Sequence, residues 1–509
     1  MAEGQLETDG AAAETVEAEG SLLDSILSKV DVAPPSGSVS VDAFTDAESI
    51  GTEDRGAMMS AAIRVFIDAV ATRDTPIDKI DKFLVDGLVA ELDNKISGQL
   101  DQIMHSEAVQ KMESAWRGLK FLVDRTNFRK NVKVELLNVS KDTLRESFED
   151  SPELIQSALY RHVYTNAYDQ PGGDPYSAIV TNYEFDSSPQ DIALLQNASK
   201  VAASAHCPFI ASVGPKFFGK DSMEDWKSIP DLSAYMEVAD YTKWNALRDS
   251  EDARYLGLTF PRFLTRLPYG PDTVPVKSFN YKENVTGEDH DKYLWGNASF
   301  AFASNMVRAF QSDGWSVQIR GPQAGGKVDD LPVHLYDVGK GKQAKIPTEV
   351  PISETLEFEA ANLGFMPLSH YQGRDFACFF SANSVQRPKL YDDAAATANS
   401  RINSRLPYIF LASRIAHYLK VLQRENIGAT KDATQIETEL NKWLKGLVTE
   451  MKNPSASISA KYPLKAAEVT VSEIEENPGF FRVQTAIQPH FQIEGMDISL
   501  SLVGKMPKK

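Results

Sequence analysis

The sequence predicts an α/β protein with mixed sheets and flanking helices, helical segments at both ends of that core, and a β-hairpin at the C-terminus. Three observations carry this. Strand-like and helix-like runs alternate between about 132 and 380, helix-period stripes lie on either side, and period-two alternation closes the chain. With 509 residues and roughly 150 per domain, about three domains are expected. The expected division is an acidic arm and linker over 1–54, a helical segment over 55–130, an α/β domain over 131–385, and a C-terminal domain with the terminal hairpin over 386–509.

Hydrophobic residues make up 42 % and charged residues 24 % of the chain, an ordinary globular balance that buries a large core. The formal net charge of −18 argues against a nucleic-acid partner, because phosphate contacts need clustered Lys and Arg, and it reads mainly as solubility. Cys207 and Cys378 are far apart and belong to no CxxC pair, which excludes a disulfide framework and fits a reducing compartment. A basic-then-apolar leader and an apolar run of about 18 residues are both missing, so cytosolic work without membrane insertion is expected.

Residues 1–28 carry Glu3, Glu7, Asp9, Glu14, Glu17, Glu19 and Asp24 but no Lys or Arg, so disorder is expected there. Within it, Leu22, Leu23, Ile26, Leu27 and Val30 have helical spacing, as a short docking helix or a transient one. Ala33 to Gly51 reads as a linker. Ile80, Leu84, Leu88, Leu92, Ile96, Leu100 and Ile103 form one helical stripe, and Val109, Met112, Trp116, Leu119 and Val123 a second. Both stripes are expected to pack in a core.

From Val132 the period changes. Strands are expected at Val132–Val139, Ala178–Tyr183, Phe209–Val213, Trp315–Arg320, Val333–Asp337 and Phe376–Phe380. Helices are expected at Pro152–Tyr168, Pro189–Ala205, Gly296–Ser312 and Ser353–Leu363. Such alternation implies right-handed crossovers and a largely parallel sheet. From Asp392 to Met451 the pattern is helical again, with Pro407 set to start or kink a helix and Ile436, Leu440, Trp443, Leu444 and Leu447 marking the last one.

The final strands are the most informative. Phe481, Val483, Thr485, Ile487, Pro489, Phe491 and Ile493 alternate with polar or small residues, and after Gly495 so do Met496, Ile498, Leu500 and Leu502. Two such runs joined by Glu494-Gly495 read as a hairpin. Pro489 cannot donate to a ladder, which interrupts the first arm or puts that point at an edge. Two readings stand side by side: the hairpin completes this chain's own sheet, or strands of neighbouring chains add to it.

Candidate chemistry fails on context. Gly321-PQAGG-Lys327 satisfies G-x-x-x-x-G-K, but Val328, Asp329, Asp330 and Pro332 follow where a P-loop needs Ser or Thr and a helix. His206 beside Cys207 reads as a packed histidine rather than a dyad. No HExxH, GxSxG or GxGxxG is present, and no catalytic residue, cofactor or metal is expected.

Several long strings point one way. They are Ala115-WRGL-Lys120, Asp174-PYSAIV-Thr181, Arg254-YLGLTFPRFLTRLPYG-Pro271, Tyr293-LWGNASFAFA-Ser304, Gly314-WSVQIRGPQAGG-Lys327, Leu331-PVHLYD-Val338, Pro347-TEVPIS-Glu354, Arg414-IAHYLKV-Leu422 and Asp497-ISLSLV-Gly504. From about residue 55 onward the chain resembles the large subunit of the contractile sheath of the bacterial type VI secretion system, the TssC/VipB family. The resemblance implies a fold like that of phage tail-sheath proteins and a structural, non-enzymatic role in the bacterial cytoplasm. It implies an obligate small sheath subunit as partner, along with other sheath protomers, the ring protein of the inner tube, the baseplate, and a AAA+ disassembly ATPase engaged mainly through the small subunit. It also implies that terminal strands weave between protomers and that the large subunit's C-terminal strands form the middle of the shared sheet, which carries over onto Phe481–Ile493 and Met496–Val503, with Phe481, Val483, Thr485, Ile487, Phe491, Ile493, Met496, Ile498, Leu500 and Leu502 as the pairing positions. Arg401, Arg405 and Arg414, on a basic helix face, are candidates for facing the tube or a neighbour, against a solvated face or internal ion pairs. A sheath of a phage or other contractile injection particle is the alternative, and a nucleotide-dependent enzyme using Gly321–Lys327 is the third reading.

Overall fold

Two compact units divide the chain, Met1–Met112 with Pro268–Thr286, and Glu113–Leu267 with Gly287–Lys509. The computed structural model describes residues 82–490 other than 278, 340, 450, 452 and 475–479. The acidic arm, its docking helix, the linker and the hairpin's second arm lie outside the described residues.

In the first unit a 23-residue helix, Lys82–Met104 (α1), buries a polar face. Asp93 and Ser97 are buried on it. Asp93 accepts from the Asn280 amide at 3.0 Å, and Asp101 accepts from the Tyr281 hydroxyl at 2.7 Å and the Asn284 N–H at 3.1 Å. His105 meets the buried Glu283 at 3.1 Å, and Glu283 accepts the Tyr269 N–H at 2.8 Å. The 268–286 segment thus offers α1 hydrogen-bonding groups, and Val89, Leu92 and Ile96 are left exposed, Leu92 by 56 %.

Apolar residues are left exposed on Glu107–Asp124 (α2) too, although its buried face is apolar. Gly118 and Leu122 are buried, and a Cβ on Gly118 would come within 2.5 Å of the Phe300 ring. Met112, Trp116 and Val123 are exposed, Trp116 by 62 %. The expectation of core packing is therefore corrected at Leu92, Ile96, Met112, Trp116 and Val123, which are exposed, while Leu100, Ile103, Val109 and Leu119 are half-buried and Ile80 and the side chains of Leu84 and Leu88 lie outside the described residues.

The second unit is built on a six-stranded sheet. Its elements are β1 (Ile179–Phe185), α3 (Pro189–Ala205), β2 (Phe209–Val213), β3 (Leu256–Phe260), α4 (Ala298–Asp313), β4 (Lys327–Val328), α5 (Glu354–Asn362), β5 (Phe365–His370) and β6 (Ala377–Phe379). The spatial order is β1-β2-β3-β5-β6-β4; the first four strands run parallel and the last two pairings are antiparallel. Both faces are covered, as a parallel sheet requires. On β2, Phe209, Ala211 and Val213 join Leu195 and Ala198 of α3 in one core, while Ile210 joins Ala301 and Phe302 of α4 in another. Gly257 of β3 lies where these layers crowd: a Cβ there would stand 2.8 Å from Ile210, Met366 and Leu406.

Helix ends follow local chemistry. Ser188 caps α3 by accepting the Asp191 N–H, with Pro189 in the first turn. Asn297 caps α4, and its amide also reaches the Tyr183 carbonyl at 3.2 Å while Ser299 donates to the Thr181 carbonyl at 2.6 Å. The register of β1 shifts between Val180 and Glu184, and these two side chains take up carbonyls that the shift displaces.

Three expected elements differ. Val132–Val139 forms no strand; the Val139 carbonyl accepts from the Tyr183 hydroxyl instead of a ladder neighbour. Trp315–Arg320 forms no strand either, although Trp315, Val317 and Ile319 are buried: the segment packs by side chains between glycines of positive φ, Gly314 and Gly321. The helix expected from Pro152 starts at Ala158, where Ser157 caps it, and widens to a π-helix over Arg161–Asp169.

The C-terminal part comprises α6 (Ala394–Asn403), α7 (Leu406–Glu425), α8 (Ala433–Lys445), β7 (Leu464–Glu473) and β8 (Phe481–Pro489). Pro407 sits in the first turn of α7, where its missing N–H costs nothing. Among the described residues, no helix is long and apolar enough to cross a membrane.

Candidate assembly interface

The sheet of β7 and β8 rests on α8. Ile436, Leu440 and Leu444 of α8 and Leu464, Val469 and Val471 of β7 are buried together, with Phe481, Val483 and Ile487 of β8 packed against them. The strands run antiparallel, with Val469 opposite Thr485 and Val471 opposite Val483. Arg482, Gln484, Ala486 and Gln488 form the exposed face. The odd-numbered apolar positions thus serve this chain's own core with their side chains.

Their backbone groups point elsewhere. Val469 donates its N–H to Asn441 at 2.9 Å and accepts from the Asn441 amide at 2.7 Å, and Val471 donates to Glu437 at 2.9 Å. Those groups therefore face away from β8. Along an antiparallel strand the N–H and C=O of successive residues alternate between sides, so Glu468, Thr470 and Ser472 bond their partners Ala486, Gln484 and Arg482. It follows that Val483, Thr485 and Ile487 turn their N–H and C=O to the outer edge of β8. No strand pairs with that edge among the described residues. Pro489 ends the strand on the outward-facing side, where its missing N–H breaks no bond to β7.

Four of the ten candidate strand residues, Phe481, Val483, Thr485 and Ile487, are thereby brought onto one strand. Phe491, Ile493, Met496, Ile498, Leu500 and Leu502 lie outside the described residues. The described partner of the first arm is β7, a strand the sequence reading did not contain. Its signal was present in the Val469-Thr-Val471 alternation and the Asn477-Pro-Gly479 turn string.

The basic positions are dispersed. Arg401 is exposed in the last turn of α6. Arg405 is half-buried at the start of α7, with its backbone bridged to Asn383. The Arg414 guanidinium lies 4.7 Å over the Tyr418 ring. Nearby, Lys420 pairs with Asp169 at 2.9 Å, and Arg424 donates to the carbonyls of Tyr168, Asp169 and Gln170, so both serve the end of the π-helix.

The nucleotide reading of Gly321–Lys327 loses its geometry. The Gly321 N–H donates to the Phe379 carbonyl and the Gly326 N–H to the Gly321 carbonyl. Arg308 takes the Gly325 and Lys327 carbonyls at 2.7 and 2.6 Å, and Lys327 pairs with Asp329. A cradle of outward N–H groups needs these turned the other way. Cys207 is fully buried with its thiol pKa pushed up by desolvation, and His206 bonds Tyr255 at 3.0 Å, so the two form no dyad.

A buried histidine makes a separate prediction. His417 of α7 lies 2.9 Å from the Ala205 carbonyl, and burial, Arg414, His206 and Lys420 hold its pKa down to about 4. A histidine depressed in the fold takes its proton first in the unfolded chain. Its neutral form costs nothing above the ordinary value of about 6.5, and stability falls as pH drops from there towards 4, by about 3 kcal/mol in all. Denaturant melts at pH 7 and pH 4.5 are expected to show this loss, and His417→Gln is expected to shrink it.

Two family models match the chain: the EvpB/VC_A0108 tail sheath N-terminal domain over residues 86–386, and the EvpB/VC_A0108 tail sheath gpW/gp25-like domain over 395–506. The type VI secretion system sheath protein TssC1 of Pseudomonas aeruginosa is 39 % identical over 460 residues, 90 % of this chain and 92 % of that one. The chain belongs to the type VI secretion sheath family. It is a structural subunit of that sheath, and the phage-particle alternative is not favoured. Solved structures with a partial likeness are the anti-feeding prophage baseplate, at 11 % identity and a TM-score of 0.38 over 73 % of this chain and 83 % of that one, and the contracted sheath complex of the extracellular contractile injection system PVC, at 10 % and 0.35 over 64 % and 71 %. Scores this low carry no argument. Within the sheath family chain, strings that carried the resemblance have structural tasks: Asn297 joins α4 to β1, Gly321–Lys327 docks beside β6, and Glu349 clamps Arg262 through bonds of 2.6 and 3.0 Å.

Proposed function

We propose that this sheath subunit works by strand addition at its C-terminal sheet, with the arms of the terminal hairpin in the middle of a sheet shared between chains. It pairs with a separate small sheath subunit, and the heterodimers polymerise as a helical tube around an inner tube of ring protein, starting from a baseplate. Protomers assembled in an extended, higher-energy state rotate outward as rigid bodies into one with more interface, and shared strand ladders tether neighbours through the change. Many protomers act together, so each releases only a modest free energy. The work is stored at assembly, and the chain needs no nucleotide or catalytic group of its own. A AAA+ ATPase, engaged mainly through the small subunit, disassembles the contracted form. The setting is the bacterial cytoplasm. Arg401 is the exposed basic position available to a tube or a neighbour; Arg405 and Arg414 would have to act from half-buried positions.

The single observation that carries this reading is the run of Val483, Thr485 and Ile487, with N–H and C=O groups directed to an edge that no described strand occupies. Such an edge is a template for another chain. Negative-stain microscopy of the full chain expressed alone and with the small subunit tests it. Tubes or cogwheel-like rings are expected only on co-expression, and soluble monomers in both cases would overturn the reading.

A further inference from the structure

The Arg414–Leu422 string carried part of the resemblance, and strand addition gives it no task. It lies on α7, where one face of the helix brings polar groups into an apolar setting. Met306 and Phe310 of α4 and Phe410 of α7 line a cavity of about 30 Å³ together with Ser413, Arg414 and His417. Positions 413, 414 and 417 share one side of the helix by their spacing. Ser413 and His417 are each only 3 % exposed. The Arg414 Nε and His417 Nδ1 atoms are buried and have no hydrogen-bond partner among the described residues. Ser413 stands beside the Tyr255 hydroxyl, which already bonds His206 at 3.0 Å.

The chemistry of these two nitrogens specifies what fits between them. Burial, Arg414, His206 and Lys420 hold the His417 pKa down to about 4, so its ring is neutral at pH 7. Its Nε2 lies 2.9 Å from the Ala205 carbonyl, which only accepts, so Nε2 carries the ring's one proton. Nδ1 therefore presents a lone pair and needs a donor. The Arg414 Nε–H is always protonated and needs an acceptor. An anion would satisfy Arg414 but set negative charge against the Nδ1 lone pair. A cation would do the reverse. Water accepts and donates at once, and a polar cavity holds one from about 10–15 Å³ upward.

We propose that this cavity is an internal water site, in which an ordered water accepts from the Arg414 Nε–H and donates to His417 Nδ1, with the Ser413 hydroxyl as a third partner. The site has a definite place in the chain. Helix α7 lies within the 395–506 match and α4 within the 86–386 match, so the water is a polar link in an otherwise apolar contact between the two. It gives Arg414 and His417 a task inside the subunit, and it does not depend on strand addition.

Cryo-electron microscopy or crystallography of the full chain, in its assembled form and at a resolution that shows ordered water, is the test. A single-atom peak within about 2.6–3.2 Å of both His417 Nδ1 and Arg414 Nε is expected. A cavity without density, a protein side chain seated in it, or a peak that touches Arg414 alone, as an anion would, would overturn the proposal. A second measurement uses Ser413→Val, which fills the cavity with methyl groups. Displacing a water strands both nitrogens, so the thermal midpoint is expected to fall by about 2 °C or more. A midpoint that holds or rises would mean a dry cavity. The same change beside His417→Leu separates stranding from crowding. With the Nδ1 acceptor gone, the fall is expected to shrink by about half, as one of two stranded groups is removed. An equal fall in both backgrounds would mark crowding and count against the water.

Discussion

Thr485→Pro is expected to leave the fold intact, together with the proposed pairing with a small subunit, and to abolish the proposed tubes. The Thr485 N–H faces the outer edge of β8 and makes no bond to β7, so proline removes a donor for which the described residues hold no ladder partner. Its side chain is exposed, so little packing is lost. The proline ring fixes φ near −65°, which an edge strand tolerates, and it keeps the preceding residue extended. Gln484→Pro is the control. That residue lies opposite Thr470 and faces β7, so the same change there removes a bond of the chain's own ladder and lowers thermal stability. The measurements are thermal melts, gel filtration with the small subunit, and negative-stain microscopy. Tubes of ordinary length from Thr485→Pro would mean that the β8 edge is not where neighbours join.

Loss of the Glu349 carboxylate is expected to be among the costlier changes of a polar group in the α/β part. Glu349 is 5 % exposed, holds Arg262 through two bonds of 2.6 and 3.0 Å, and lies 3.4 Å from His290. The Arg262 guanidinium and the His290 ring hold its pKa down to about 2 against the opposing effect of burial. Removing one partner of a buried pair costs 3–5 kcal/mol, because the other charge is left without compensation. The Arg262 side chain keeps a third of its surface in water, so the lower end, about 3 kcal/mol, is expected for Glu349→Ala. Glu349→Gln keeps much of the hydrogen bonding and is expected to fall between. Thermal midpoints of the purified chain at fixed concentration check both. A carboxylate depressed in the fold contributes fully above its ordinary pKa of about 4.5, and the contribution is lost as pH falls through 2. Its window begins near the lower end of the one in which His417 acts.

Where side-chain period and burial agree, the sequence was easy to read. Pro189–Ala205 and Phe209–Val213 appear at their expected limits, because a capping Ser, a first-turn Pro and a fully apolar strand leave few alternatives. Trp315–Arg320 alternates as a strand does, yet alternation reports burial and not a strand ladder, and no strand forms over it among the described residues. The stripes of α1 and α2 were legible as stripes but not as to what covers them, since a helix face bound by another chain has the same spacing as one bound by its own. At the candidate interface, the apolar positions of β8 could be read, whereas the direction of their backbone groups depends on β7 and on Glu437 and Asn441. Those two look like ordinary polar residues of an amphipathic helix, and only the packing of α8 shows what they hold.

The outward stripes on α1 and α2 also bear on supply. Among the described residues Leu92, Ile96, Met112 and Trp116 are exposed, and apolar faces of this kind attract one another and chaperones alike. Net charge slows that clumping without removing its cause. Matched synthesis of whatever covers the stripes would then govern yield: expressed by itself, the chain would collect in the pellet or be degraded, and its steady-state level would follow that of its partner.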